Sequence, residues 1–387
     1  MTQPMSNIEK LIARLCPNGV EFKKIGEICQ ISRGRVMSKD YLKANAGEYP
    51  VYSSQTTNEG AFGGINTYDH NGEYVTWTTD GANAGSVFYR NGKFSITNVC
   101  GLLKPKKNDL NAKYLSYILS TIAKSHVRSG MGNPKLMSNV LAKISIPIPP
   151  LAVQEEIVKI LNHFTELAAE LAAELEARKK QYEHYRSELL TFNERVRWAT
   201  LGEIGKVSMC KRIFKNQTSA DGDIPFYKIG TFGNEPDAFI SQEIFDGYHK
   251  KFSFPKKGDV LLSASGTIGR RVIYDGKPAY FQDSNIIWID NDENKVLNKF
   301  LYHLYAIVKW QTEGGTIKRL YNDNLKKIKI PIPPLTEQER IVSILDKFDA
   351  LVNDISIGLP AELSARRSQY EYYRNKLLTF NTYDPAE

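Results

Sequence analysis

The strongest constraint on this chain is that much of it is written twice. "ISIPIPPLAVQEEIVKILNHFTEL" at 144–167 returns as "IKIPIPPLTEQERIVSILDKFDAL" at 328–351, an offset of 184 residues with 15 of 24 positions identical. Unrelated stretches of average composition would share roughly one or two. "RKKQYEHYRSELLTFN" at 178–193 returns as "RRSQYEYYRNKLLTFN" at 366–381, offset by 188 with 11 of 16 identical. The second copy therefore has four more residues between its matching blocks. Upstream, "VEFKKIGEI" (20–28) resembles "VRWATLGEI" (196–204), and "SGMGNPKLMSNVLAKI" (129–144) aligns loosely with "EGGTIKRLYNDNLKKI" (313–328). Elsewhere the halves diverge. Four segments follow: a variable domain over 1–143 with a helical lead-in, a shared helical spacer over 144–193, a second variable domain over 194–327, and a second helical spacer over 328–387.

The shared segments predict long helices. Prolines at alternate positions of "IPIPPL" demand extended backbone and close the preceding domain. Beyond them, Thr336 with Glu339 fits a capping box, and acidic residues fall where the helix dipole favours them. An apolar stripe then runs Ile157, Ile160, Phe164, Leu167, Leu171, Leu175, Arg178, Tyr182, Tyr185, Leu189. Steps of three and four with one extra four describe a heptad with a stutter. The second stripe is Ile341, Ile344, Phe348, Leu351, Ile355, Leu359, Leu363, Arg366, Tyr370, Tyr373, Leu377, with one stutter more. Gly358 and Pro360 lie inside it and predict a kink or a break. Two such helices of about 38 residues, roughly 57 Å each at 1.5 Å per residue, are expected to pack on each other.

The variable segments read as short β-branched and aromatic runs such as "YPVYSS", "GEYVTWTT", "GDVLLSAS" and "SNIIWID", separated by Gly, Asn and Asp. "RNGK" (90–93) and "YDGKP" (274–278) fit hairpin turns. Helices are expected over 111–124 and 298–310. The fold class is α+β: two similar α/β domains, each a curled sheet with helices, separated by two long helices.

No catalytic signature is evident. A cofactor loop with an Asn/Asp-Pro-Pro-aromatic motif is missing, as is a phosphate-binding GxxxxGK[ST] loop. The histidines show no ligand spacing, and Cys16, Cys29, Cys100 and Cys210 stand too far apart in sequence to suggest a zinc site or disulfide framework, so no metal is expected. No apolar run reaches the roughly 18 residues of a membrane helix, and the start lacks the pattern of a secretory signal. A net charge of +8 and a pI near 9.0 agree with a polyanionic partner. Two glycine-rich stretches, "DGANAGS" (80–86) and "SASGTIGRR" (263–271), follow strands at similar places in each half. Tight turns account for them; so do loops whose backbone approaches DNA. Residue types suited to phosphates and base edges are Arg33, Arg35, Ser54, Gln55, Asn58, Thr79 and Asn83 in the first half. In the second they are Lys211, Arg212, Lys215, Lys228, Ser263, Ser265, Thr267, Arg270, Arg271, Gln282, Asn285, Lys318 and Arg319.

The doubled "IPIPPL…QE.IV.IL..F" and "QYE.YR..LLTF", together with the tetrapeptide repeat "LAAELAAEL" (167–175), make the chain resemble the specificity subunit of type I restriction-modification systems. The resemblance spans essentially the whole chain; the variable segments match in layout only. It implies two target-recognition domains, antiparallel spacer helices and a pseudo-two-fold axis, with each domain reading one half of a split, asymmetric double-stranded DNA site. It further implies no catalytic centre here, two modification subunits bringing S-adenosylmethionine, two restriction (translocase) subunits using ATP and Mg, and a cytoplasmic setting in a bacterium or archaeon. One departure is "ISIGLPAEL" where the first copy has "LAAELAAEL", which implies spacers of unequal straightness. A stand-alone DNA adenine methyltransferase or nuclease, and a coiled-coil adaptor that ignores DNA, are the competing readings.

Overall fold

A computed structural model describes residues 6–129, 132–313 and 318–383. Residues 130–131 and 314–317 of the loosely aligned stretches, and the first five and last four residues of the outer domains, lie outside that set. The first half comprises α1 (Asn7–Leu15), β1 (Glu21–Lys24), α2 (Ile25–Ile28), β2 (Cys29–Arg33), α3 (Lys39–Ala44), β3 (Ala46–Tyr52), β4 (Ala61–Ile65), β5 (His70–Thr78), β6 (Val87–Ile96), β7 (Cys100–Pro105), α4 (Ala112–Ile122), α5 (Ser138–Leu141), β8 (Ser145–Ile148) and α6 (Leu151–Leu189). The second comprises β9 (Arg197–Thr200), α7 (Leu201–Ile204), β10 (Gly205–Ser208), β11 (Ile224–Tyr227), β12 (Phe239–Ile240), α8 (Gln242–Lys251), β13 (Val260–Ser263), β14 (Arg271–Ile273), β15 (Tyr280–Phe281), β16 (Ile286–Asn291), α9 (Asn298–Leu304), α10 (Asn322–Lys326), β17 (Lys329–Ile332), α11 (Leu335–Asn353) and α12 (Leu359–Leu378). Two compact units divide the chain. Unit one holds residues 1–172 and 363–387, and unit two holds 173–362.

Each "IPIP" strand lacks N–H donors at its prolines and so suits a sheet edge. In unit one β8 pairs antiparallel with β1 alone, and in unit two β17 does the same with β9. The larger sheets share one plan. Unit one has the order β2-β7-β5-β6-β3-β4, and unit two begins identically as β10-β16-β13-β14. The parallel contact of β3 with the end of β6, Tyr52 opposite Ile96, has its counterpart in β11 beside β15, Tyr227 opposite Phe281. So β14 and β15 together do the work of the single strand β6. This overturns both expected hairpins. "RNGK" lies inside β6, where Arg90 is buried and Gly92 takes a φ of +96°. "YDGKP" joins β14 to β15, which pair with different strands, so it is a corner between two sheets. Burial of the flanking aromatic and aliphatic residues prevailed over local turn preference.

The helices obey the expected stripe, with corrections. α6 is continuous over 39 residues, whereas its counterpart is broken into α11 and α12. Asp354 accepts hydrogen bonds from the backbone N–H groups of Ser356 and Ile357, at 2.7 and 3.2 Å, and shapes the break. A side chain on Gly358 would meet the Ala350 carbonyl at 2.4 Å, so only glycine fits there. Ile355, expected in the packing stripe, is therefore in the turn and 82% exposed, and Leu351 is 37% exposed. The Thr336–Glu339 capping box is absent: α11 starts at Leu335, after Pro334, with no side-chain cap. In α6 the acidic pair Glu155 and Glu156 falls beyond the first turn.

In unit one Ile157 and Leu161 share a core with Leu377 and Leu378 and with Trp77, Tyr114, Leu115 and Ile118. Ile160 and Tyr370 pack on that core, and Phe164 stacks on Tyr373 at 5.3 Å. The contacts run backwards along α12, so the helices are antiparallel. Helix α4 lies between the sheet and this helix pair. Unit two repeats the arrangement with the other ends. Phe348 stacks on Tyr185 at 5.4 Å and lies parallel to Tyr182 at 6.1 Å. Ile341, Leu345, Leu175 and Tyr182 are buried; Ile344 and Leu189 are half-buried, as are Leu167, Leu171 and Leu363 in unit one. Each ring stack contributes about 0.5–1.5 kcal/mol beyond burial. Arg374 sits over Tyr370 and Arg186 over Tyr182 in the same equivalence.

A pair of buried glutamines joins each variable segment to its helix. Gln154 donates to the carbonyls of Pro149 and Asp109, each at 2.8 Å, and accepts from the Asn111 N–H at 2.9 Å. Gln338 donates to Pro333 at 2.8 Å and Lys295 at 3.0 Å, and accepts from the Leu297 N–H at 2.9 Å. Both are fully buried. Every partner is a backbone atom just ahead of, or at the start of, α4 or α9, or in the proline strand exit.

Candidate nucleic-acid interface

The glycine-rich loops are built alike. Gly81 and Gly85 in the first, and Gly266 and Gly269 in the second, all have positive φ, a region L side chains avoid. The loop in unit one opens with Asp80, that in unit two with Ser265. Each of these residues bridges antiparallel to a basic residue from a returning segment, Lys135 and Arg319 respectively. Key backbone bonds also match. Leu136 donates to the Thr79 carbonyl at 2.9 Å, as Leu320 does to Ala264 at 2.8 Å. On its far side Lys135 pairs with Arg128, as Arg319 pairs with Glu313. Lys135 was not among the candidates read from the sequence; its alignment with Arg319 at an offset of 184 was the available signal.

Side-chain commitments separate the candidates. In unit one, Arg35 donates to Asp69 at 3.1 Å and to the Tyr41 hydroxyl at 3.0 Å, and these bonds hold its guanidinium more firmly charged than usual. Arg33 approaches Asp80 only to 3.6 Å, as does Lys135, which is too far for a hydrogen bond. Thr79 is fully buried and donates to Asp80 at 2.7 Å. Gln55 donates to the Ala61 carbonyl, Ser54 is half-buried, Asn83 is exposed, and Asn58 is exposed with φ +49°. Arg90 holds that loop from beneath, donating to the Glu59 carbonyl at 2.6 Å while stacked 3.5 Å over Tyr52.

In unit two several candidates are scaffold. Ser263 is buried, donating to the Thr267 carbonyl at 2.6 Å and accepting from the Arg270 N–H. Arg270 donates to the Phe232 carbonyl at 2.7 Å, and Gln282 accepts from the Ile229 N–H at 2.9 Å. Lys228 is paired with Asp237 at 2.8 Å and Arg212 with Asp283 at 2.9 Å. Arg271 does not join the loop cluster. It lies over Tyr302 at 4.7 Å, in a cavity lined by Asp346 and Asp349, and burial lowers its pKa. Ser265 is buried and donates to Asn285 at 2.7 Å. Thr267, Lys215, Lys318 and Arg319 are exposed, and Lys211 reaches 5.4 Å from the Phe252 ring. Among the described residues these four exposed groups, with Arg33, Lys135 and Lys211, make no hydrogen-bonded ion pair. They are the cations and hydroxyl available to a phosphate backbone.

A second difference between the units lies where α4 and α9 meet the long helices. Tyr117 of α4 donates to Asn162 of α6 at 2.8 Å. Its counterpart in unit two is His303 of α9, 2.8 Å from Asp346 of α11, with the Tyr182 hydroxyl at 3.3 Å from the other ring nitrogen. Burial lowers the His303 pKa, while the Asp346 carboxylate opposes that shift. Among the described residues no group of His, Cys, Asp and Glu could hold a metal ion, and no helix is long and apolar enough to cross a membrane.

The family model for the type I restriction modification DNA specificity domain matches twice, over residues 17–177 and 193–365. A Haemophilus influenzae protein named as a type I restriction enzyme specificity subunit is 50% identical over 375 residues, covering 94% of this chain and 96% of that protein. A Mycoplasma pneumoniae protein named as a type I specificity subunit is 38% identical over 363 residues, covering 92% and 96%. In fold, the chain is similar to the crystal structure of the type I S subunit from M. genitalium, with TM-score 0.59, 16% identity, and 93% and 96% coverage. It is similar also to a chain from a study of complex assembly and conformational transition in the type I R-M system, with TM-score 0.61, 15% identity, and 94% and 98% coverage.

Proposed function

Because this chain belongs to the type I restriction-modification DNA specificity family, we propose that it selects the DNA site for a type I complex, each unit reading one half of a split, asymmetric sequence. The observation that carries this is the pair of loops. Their backbone bridges match, yet their side chains differ, as expected of two readers on one scaffold that recognise different half-sites. Symmetry in a protein mirrored in the layout of its DNA site is the logic of dimeric readers.

On this reading the chain has no reaction of its own. Two modification subunits bring S-adenosylmethionine and methylate adenine, and two restriction subunits use ATP and Mg to translocate and cut DNA. The target base leaves the helical stack within the modification subunit. The setting is the cytoplasm, where chromosomal DNA is the substrate. The shared helices are where the modification subunits dock, since the variable segments must be free to diverge.

Sequencing methylated adenines in cells carrying this chain and its partners is the test. The expected result is a split motif in which one half follows exchange of residues 20–143 and the other follows exchange of 196–327. Methylation of DNA by the purified chain without any partner would refute the reading.

A further inference from the structure

We propose that Asp80, set between Arg33 and Lys135 at the mouth of the glycine-rich loop, is the specificity-determining residue of unit one and selects a G·C base pair. This rests on the DNA-reading function above and assigns part of it to one position.

The argument starts from the equivalence of the loops. Asp80 and Ser265 occupy the same rung, bridged to Lys135 and Arg319. Where two readers share a backbone, the information that distinguishes their targets resides in the side chains at matching positions. At this rung both units carry a basic partner, but the residue facing it differs in charge. Unit two presents a neutral pair, the Ser265 hydroxyl on Asn285 at 2.7 Å. Unit one presents a carboxylate with a guanidinium and an ammonium each 3.6 Å away.

That spacing matters. Among the candidate residues, Arg35 closes on Asp69 at 3.1 Å and Arg212 on Asp283 at 2.9 Å, each within hydrogen-bond distance. The Asp80 trio is held close but not closed. Its side chains are 26%, 33% and 53% exposed for Asp80, Arg33 and Lys135. Meanwhile the Thr79 hydroxyl fixes one carboxylate oxygen at 2.7 Å, leaving the carboxylate oriented and able to accept more. A carboxylate in the major groove accepts from the exocyclic amine of cytosine, and an arginine donates to O6 and N7 of guanine. A carboxylate beside an arginine therefore matches the two edges of one G·C pair. Lys135 supplies the positive charge that lets an acid approach the polyanion.

The test is selection of duplexes from a randomised pool by the full chain, followed by sequencing. Wild type should enrich a motif whose unit-one half contains a G·C pair. Asp80→Asn keeps the shape and the Thr79 bond but replaces an acceptor by a donor. It should lower the preference at that one pair at least tenfold and leave the other half unaltered. Arg33→Lys keeps charge but loses the planar fork, and should flatten the same position. If wild type enriches a motif that both variants leave intact, or if Asp80→Asn only strengthens binding to every duplex alike, the assignment of Asp80 is wrong while the function stands. If wild type enriches nothing, the DNA-reading function falls and this assignment with it.

Discussion

Replacing Gln338 by leucine removes three hydrogen bonds at a fully buried point while keeping the volume and adding no charge. The Leu297 N–H loses its acceptor, and the carbonyls of Pro333 and Lys295 each lose a donor. A buried N–H left without a partner costs about 1–3 kcal/mol. Carbonyls have a second lone pair and tolerate the loss better. The total is about 3 kcal/mol, nearer the cost of one orphaned donor and two weakened acceptors than of three orphans. Unit two spans residues 173–362, and for domains of that size each kcal/mol moves the melting temperature about 2–4 °C. Differential scanning calorimetry should therefore show the unit-two transition lowered by about 6–12 °C, with the unit-one transition unmoved. Gln154→Leu should do the same to unit one, since its bonds match within 0.2 Å. Gln338→Glu separates hydrogen bonding from packing. The ionised side chain still accepts from Leu297 but faces two carbonyls with no proton to offer, so it should be at least as damaging at neutral pH. A loss under 2 °C for both Gln338 variants would show that the joint is held by packing alone and refute the reasoning.

Deleting Ala168–Leu171 shortens α6 by about 6 Å and turns its face by about 40°. Since duplex DNA rises about 3.4 Å per base pair, the gap between half-sites should contract by one or two base pairs, read by methylated-motif sequencing with both half-sites unchanged. The His303–Asp346 pair should make unit two acid-sensitive. His303 has its pKa lowered by burial, so the unfolded chain takes up its proton first. The stabilisation is then complete above the unfolded value of about 6.5 and is lost as pH falls below it. Calorimetry at pH 7.5 and 5.5 should show unit two weakening on acidification, and the double change His303→Tyr with Asp346→Asn, copying Tyr117 and Asn162, should remove the effect.

What the sequence disclosed was periodic or repeated. Alternate prolines announced the extended backbone of β8 and β17, the three-and-four stripe announced Phe164, Tyr185, Phe348 and Tyr373, and Gly358 with Pro360 announced the broken helix. What it concealed depended on partners far along the chain. Gln154 and Gln338 stand in both copies of the motif, but a glutamine among glutamates reads as a solvated face until Asp109 and Lys295 are placed beside it. "RNGK" has the composition of a turn, yet Arg90 is drawn under the sheet by Tyr52 and the Glu59 carbonyl. Arg271 belongs to a glycine-rich loop by sequence and to the Tyr302 ring in space. Charge counting could not separate Arg212, committed to Asp283, from Lys318, which is exposed.

The division of the chain into units has a consequence for how the protein is made. Unit two is one unbroken stretch, 173–362, but unit one needs residues 363–387 as well as 1–172. Its core includes Leu377 and Leu378 beside Ile157 and Leu161, and the ring of Phe164 waits for Tyr373. Synthesis proceeds from the N-terminus at about 5–20 residues per second. The unit begun first is therefore finished last, its helix surface open for the time the ribosome takes to make roughly 200 further residues, about 10–40 seconds. Its partner, started later, can close in order as it emerges.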